Sequence, residues 1–263
     1  MPATWTTALV TGASSGIGAA LARRLAAEGT DLVLVARDRG RLDALAAELA
    51  TPAAGAVRAE VLVADLADPG QLGEVEKRVA DAARPVDLVV NNAGFGTYGD
   101  FVGLDVDGEE REIAVNVLAV VRLTHAALGA MLPRGRGAVV NVSSVAGLQA
   151  TPGNATYGAS KAFVATFGEA VAGELAGTGV TLTTVLPGFT RTEFHERAGI
   201  GGRKVPGPAW MSARDVAAET LDAARAGRPW LVPGVLNKLA AAVAGLVPRG
   251  LRRRLAARMA ARM

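Results

Sequence analysis

The sequence predicts an α/β fold in which a doubly wound, mostly parallel β-sheet is covered by helices on both faces. Three observations carry this. Short aliphatic runs alternate with longer segments of helical periodicity along 263 residues, a length that suits one large core. Six of the seven runs are rich in Val and Leu with little polar alternation, which fits strands buried on both sides. Half of the residues are hydrophobic but only 4% are aromatic, so the core is made of small and branched aliphatics, as where helices pack on parallel strands.

Taken in order, strands are expected at 6–12 (TTALVTG), 31–37 (DLVLVAR), 59–66 (AEVLVADL), 86–92 (VDLVVNN), 137–144 (GAVVNVSS), 180–188 (VTLTTVLPG) and 228–234 (RPWLVPG). The last is short and has the character of an edge strand. Helical patterns fall at Gly16–Glu28, Arg39–Ala50, Glu109–Leu132 and Ala155–Ala176. Repeated strand–helix–strand units imply right-handed crossovers. No repeat or low-complexity linker interrupts them, so residues 1–233 read as one domain. Phe189–Trp210 holds Gly199, Gly201, Gly202, Pro206, Gly207 and Pro208. It reads as a long irregular loop, a lid over about 189–211.

The absence of cysteine excludes disulfides and thiolate chemistry, and no ligand cluster points to a metal. The N-terminus lacks the basic start and apolar stretch of a signal peptide. No run is expected to reach the ~20 apolar residues that span a bilayer. A cytoplasmic location is the expectation.

The net charge of +3 conceals an asymmetry. Residues 234–263 carry seven Lys or Arg and no acid, leaving 21 basic and 25 acidic residues in the body. The basic character therefore belongs to the tail, and no nucleic-acid partner is expected of the body. Leu236, Leu239, Ala240, Val243, Leu246 and Val247 follow amphipathic helical spacing. Pro248-Arg249-Gly250 breaks it, and Leu251, Leu255 and Met259 form a second face among five arginines. Three placements fit such a tail: packed on the body near the lid or on another subunit, laid weakly on an anionic membrane surface, or solvated.

After the first strand comes Thr11-Gly12-Ala13-Ser14-Ser15-Gly16-Ile17-Gly18, opening a helix. Glycines there let the backbone turn tightly against a pyrophosphate, and the helix N-terminus offers free N–H groups. This predicts a dinucleotide site. Where an NAD site carries an acid for the ribose hydroxyls, the second strand ends in Ala36-Arg37. An arginine pairs with a 2′-phosphate, with Ser14 or Ser15 as further donors, so NADP(H) is expected over NAD(H). Asp38 follows directly and weighs against it.

Tyr157 and Lys161 lie one helical turn apart and share a face. A tyrosine of pKa ~10 is a poor base at neutral pH, but a nearby ammonium and an oxidised nicotinamide favour phenolate. Such a tyrosine gives a proton to a nascent alkoxide or takes one from an alcohol. Ser144 follows a strand, thirteen residues earlier, where its hydroxyl can hold a substrate oxygen; Ser143 ranks second.

TGASSGIG, NNAG at 91–94, VNVLA at 115–119, NVSS at 141–144, YGASK at 157–161 and PGFTRT at 187–192 occur in one order and spacing. Together they resemble the short-chain dehydrogenase/reductase family over about residues 6–233. The resemblance implies a seven-stranded Rossmann-type sheet, a dimer or tetramer, and a catalytic set falling on Asn116, Ser144, Tyr157 and Lys161. Asn116 would support a water relay, and Lys161 would also hold the nicotinamide ribose. Asp65 and Leu66 would meet the adenine. Asn91, Ala93 and Gly94 would line the adenosine side. Pro187, Gly188, Thr190 and Thr192 would form the nicotinamide turn. The activity implied is hydride transfer between a small-molecule ketone or aldehyde and its alcohol; the alternative is an NADP(H)-binding sensor or scaffold without turnover. Phe95, Tyr98, Phe189, Phe194 and Trp210 are candidates for the substrate pocket. His125 and His195 have no partners at metal-ligand spacing.

Overall fold

A computed structural model describes residues 5–51, 56–194, 207 and 210–246. Strand β1 (Thr7–Thr11) leads to α1 (Gly16–Ala27), β2 (Asp31–Ala36), α2 (Arg39–Leu49), β3 (Ala59–Val63), α3 (Pro69–Ala80) and β4 (Leu88–Asn91). Helix α4 (Val106–Ile113) then runs through a π-helical turn, Ala114–Leu118, into α5 (Ala119–Met131). There follow β5 (Gly137–Val142), α6 (Ala155–Glu174), β6 (Val180–Val185), β7 (Thr190–Arg191), β8 (Met211–Ser212), α7 (Ala213–Arg225), β9 (Trp230–Leu231) and α8 (Val235–Leu246).

All seven expected strands are present. They form one sheet in the order β3-β2-β1-β4-β5-β6-β9, parallel throughout. The short RPWLV strand is an edge, as its length foretold. Residues on alternate sides of β1 feed two cores. Val10, Leu32 and Leu34 pack with Leu21 and Leu25 of α1, Leu42 of α2 and Leu221 of α7. Leu9, Val33, Val89 and Val139 pack with Leu72 and Val75 of α3 and Leu123 of α5. Each fully buried Leu contributes about 1.5–3 kcal/mol of transfer free energy.

Helix starts follow their caps. Asp38, Asp68 and Ser212 accept hydrogen bonds from Arg41, Gln71 and Asp215 amides, satisfying orphan donors of the first turn. Asp105 does the same for α4 and starts it three residues before the expected Glu109. The single helix read over 109–132 is two helices joined by the π turn, and such turns gather at functional positions. The stretch Val106–Arg134 is long and apolar enough by composition to cross a bilayer, which corrects the expectation that no segment is. It nonetheless packs as a core helix, burying Leu123, Ala127 and Met131 under the sheet.

The expected lid lies mostly outside the described residues. Its two roots pair, Thr190 and Arg191 of β7 with Met211 and Ser212 of β8. The first tail helix forms as α8 and lies on the body. The second stretch, beyond Pro248, lies outside the described residues, as does His195.

Candidate active site

Parallel strands present their C-terminal ends along one edge, and the turns there enclose a cleft of about 1020 Å³. Open α/β sheets take ligands at this edge. Gly12, Ser14, Ser15, Gly16 and Ile17 floor it. Gly12 has φ +65°, and a Cβ there would come within 2.8 Å of Asn92 and 3.0 Å of the Ala93 backbone, so only glycine fits. Gly18 does not line the cleft; a Cβ there would come within 2.3 Å of the Gly12 carbonyl, so it sets how closely α1 packs on the loop.

Thr11 organises the opposite wall. Its hydroxyl donates to Val90 O and accepts from the Asn92 and Ala93 amides at 2.9 and 3.0 Å. Ala93 and Gly94 line the cleft together with Asn92. Asn91 does not, which corrects its assignment to the adenosine side. It is buried and donates to Asn141 Oδ1 at 2.8 Å and Thr124 Oγ1 at 3.1 Å. Successive strand residues face opposite sides, and Asn91 is on the sheet-interior side.

Arg37 and Asp38 line the adenosine end with Asp65, Leu66 and Arg41. Asp38 is engaged as the α2 cap. Asp65 pairs with Arg111. Arg41, absent from the sequence reading, reaches across to Glu193 at 3.0 and 2.8 Å. Its only sequence signal was the four-residue spacing from Arg37. The exposed guanidinium of Arg37, the glycine floor and the free α1 amides fit a phosphorylated dinucleotide.

At the other end, α6 delivers Tyr157 and Lys161, and the second residue after β5 is Ser144. Ser144 and Tyr157 both face the cleft, and the Ser144 hydroxyl accepts from Ala146 N at 3.1 Å. Ser143 instead turns inward, donating to Lys161 O at 2.6 Å, so the cleft serine is Ser144. Lys161 is buried, with Nζ donating to Val142 O at 3.0 Å and lying 5.7 Å from the Tyr157 ring centre. Burial pushes the ammonium down to about 8, against the opposing charge of Glu112. Burial pushes the Tyr157 phenol up to about 12, offset in part by Ser144 and reinforced by Glu112. Burial is the largest influence on the Tyr157 phenol and opposes phenolate, and Lys161 Nζ donates to a backbone carbonyl.

Asn116 is fully buried and does not line the cleft. From the π turn it donates to Phe95 O at 2.8 Å and Ser160 Oγ at 3.1 Å, and accepts from Phe95 N. It ties the wall that follows β4 to α6, directly behind Lys161.

Pro187, Gly188, Thr190 and Thr192 complete this end. Thr190 donates to Gly188 O at 3.0 Å, fixing the turn. Phe95, Tyr98, Phe189 and Phe194 line the cleft, with Phe194 5.4 Å from Tyr157 between ring centres. Trp210 stacks on Phe189 at 5.5 Å. His125 is exposed on α5. Helix α8 backs the turn, with Asn237 against Gly188 and Lys238 paired to Glu219.

Known proteins place this geometry. Residues 6–200 match the short chain dehydrogenase family. Sulfoacetaldehyde reductase 2 of Chromohalobacter salexigens is 40% identical over 71% of this chain and 73% of its own. A short-chain dehydrogenase from Sphingobium yanoikuyae in complex with NADPH is 41% identical, with a TM-score of 0.79 over 95% of this chain and 94% of that one. The bulky-bulky ketone specific alcohol dehydrogenase from Comamonas testosteroni is 33% identical, with a TM-score of 0.78 over 93% and 94%. Sequence match and cleft architecture agree, and the chain belongs to the short chain dehydrogenase family as an oxidoreductase.

Proposed function

We propose that the protein is an NADP(H)-dependent reductase of small-molecule ketones or aldehydes, with Tyr157 as the proton donor. The observation that carries this is Tyr157 and Ser144 brought together in the cleft beside the buried Lys161, whose Nζ lies 5.7 Å from the Tyr157 ring centre. NADPH, when bound, supplies the hydride. Ser144 holds the substrate oxygen, and Tyr157 gives it the phenolic proton as negative charge develops there. Lys161 holds the nicotinamide ribose, and Asn116 keeps α6 in register with the wall behind it and supports the water relay. Gly12 to Ile17 hold the pyrophosphate, Asp65 and Leu66 the adenine, Ala93 and Gly94 the adenosine side, and Arg37 the 2′-phosphate. Pro187, Gly188, Thr190 and Thr192 hold the nicotinamide. A protein that only sensed NADP(H) would need neither Ser144 nor Tyr157.

The NADPH-bound relative supports the cofactor, and the ketone-specific and sulfoacetaldehyde-reducing relatives support the carbonyl class. The aromatic wall of Phe95, Phe189 and Phe194 favours a substrate with an apolar portion. Steady-state rates with NADPH and NADH against aldehydes and bulky ketones test this. NADPH is expected to be preferred, and Arg37→Asp to reduce that preference by at least ~10-fold, on the scale of a lost charge-assisted contact. An unchanged preference would remove Arg37 from the 2′-phosphate site.

A further inference from the structure

Behind the cleft, α4 carries two glutamates that the proposed chemistry does not use. Glu109 is 5% exposed and Glu112 is 0%. They lie three residues apart, on one helical face. Among the described residues neither carboxylate is hydrogen-bonded by a Lys or Arg. Their partners are neutral. Thr97 N donates to Glu112 Oε2 at 2.8 Å, and Thr97 Oγ1 lies 2.9 Å from the same oxygen. That hydroxyl also bonds Glu109 Oε1, while Thr156 Oγ1 donates to Glu109 Oε2. Asn116 Nδ2 approaches Glu112 Oε1 at 3.5 Å.

The proton inventory of this cluster is the decisive point. A threonine hydroxyl has one proton to donate and two lone pairs to accept with. The Thr97 proton can serve only one of its two carboxyl neighbours well. The other oxygen then faces only the lone pairs of that hydroxyl, a contact relieved when it carries a proton and donates to Thr97. Two buried, fully ionised carboxylates facing one hydroxyl would otherwise repel at low dielectric.

We propose that Glu109 and Glu112 share a single proton across Thr97, and that the one remaining negative charge is a positioning element that keeps Lys161 an ammonium and Tyr157 a phenol. The proposal rests on the reading of Tyr157 as the proton donor. The titratable groups nearest the pair belong to α6: Thr156, which bonds Glu109, adjoins Tyr157, and Asn116, which approaches Glu112 at 3.5 Å, bonds Ser160 beside Lys161 at 3.1 Å; Thr97 and Asn116, from the segment after β4 and the π turn, are neutral. Burial raises the Glu112 carboxyl above the ordinary range, with the Glu109 charge adding to that rise. Glu112 in turn opposes the downward pull on Lys161 and adds to the upward pull on Tyr157. An unshared pair with two charges, or none, would give a different reaction centre.

Two measurements on the full chain without cofactor test this. Infrared spectroscopy at neutral pH is expected to show a buried protonated-carboxyl C=O band that is lost in both Glu109→Gln and Glu112→Gln, because each variant leaves the surviving carboxyl free to ionise. A band lost in only one variant, or absent from the wild type, overturns the shared proton; the wild-type spectrum alone decides if a variant does not fold. Near-ultraviolet titration of phenolate follows Tyr157, one of two tyrosines, with Tyr157→Phe assigning its signal. Glu112→Gln is expected to lower its midpoint by about one pH unit, and an unmoved midpoint overturns the positioning role. Neither readout needs turnover, so their failure leaves the proton-donor reading standing. Turnover that survives in Tyr157→Phe would sink that reading without touching the shared proton.

Discussion

At the scale of single residues, the site is built from groups kept in the charge state that burial opposes or enforces. Lys161 is charged in the unfolded chain up to pH 10.5, but in the folded protein only up to about 8. Between these values the unfolded state binds more protons, so stability rises with pH across that window, and the burial cost is fully present below it. Lys161→Met removes this cost. It is expected to stabilise the protein at pH 7 by about 1–3 kcal/mol, an advantage that shrinks towards pH 10, while turnover is lost. Thermal unfolding at the two pH values checks it; a variant equally stabilised at both would contradict the assigned pKa. Residue placement was legible where chemistry dictates residue type: Gly12, Ser144, Tyr157 and Lys161 all face the cleft. They were not legible where a face had to be chosen. Asn91 and Asn92 are neighbours of one type, and only the strand's orientation sends the second to the ligand side. Glu109 and Glu112 drew no reading from the sequence, because the wall bearing Thr97 is brought to them only by the fold.

At the scale of elements, aliphatic runs located every strand of the seven-stranded sheet but not the β7–β8 pair, and the alternation of runs and helices gave the layering. The π turn was not legible, since nothing in Ala114–Leu118 sets it apart from α-helical sequence except the placement of Asn116. The role of α8 was likewise open. Its amphipathic spacing was clear, but not that Asn237 would close against the turn at Gly188. A Cβ at Gly188 would lie 2.5 Å from Asn237 Oδ1, which no real contact allows. Gly188→Ala is therefore expected to weaken NADPH binding, and Asn237→Ala to restore part of it. Equilibrium titration of NADPH across the double-mutant cycle reads the coupling. Strictly additive effects would mean that α8 does not brace the turn. By the same packing, removal of the tail from residue 234 takes away a brace of the cofactor site as well as the basic charge.

At the scale of the whole molecule, the described surface leaves Ile113, Leu118 and Phe163 exposed on α4, the π turn and α6. Such a face supports assembly into dimers or tetramers, in keeping with the family resemblance. Light scattering is expected to give at least twice the mass of one chain, and Phe163→Glu to lower it; a wild-type monomer would refute the assembly. The global reading, a Rossmann-type oxidoreductase fold of the short chain dehydrogenase family, was legible because the motifs that follow β1, β4, β5 and β6 lie on neighbouring strands of the sheet. The substrate was not, because the lid residues that shape its pocket follow no periodic rule. The account as a whole depends on Tyr157 as proton donor, and the most direct test is the rate of NADPH-dependent carbonyl reduction by wild type and Tyr157→Phe. We expect the variant to lose ~10²–10⁴-fold in kcat while binding NADPH as tightly as the wild type; undiminished turnover in the variant would contradict the mechanism.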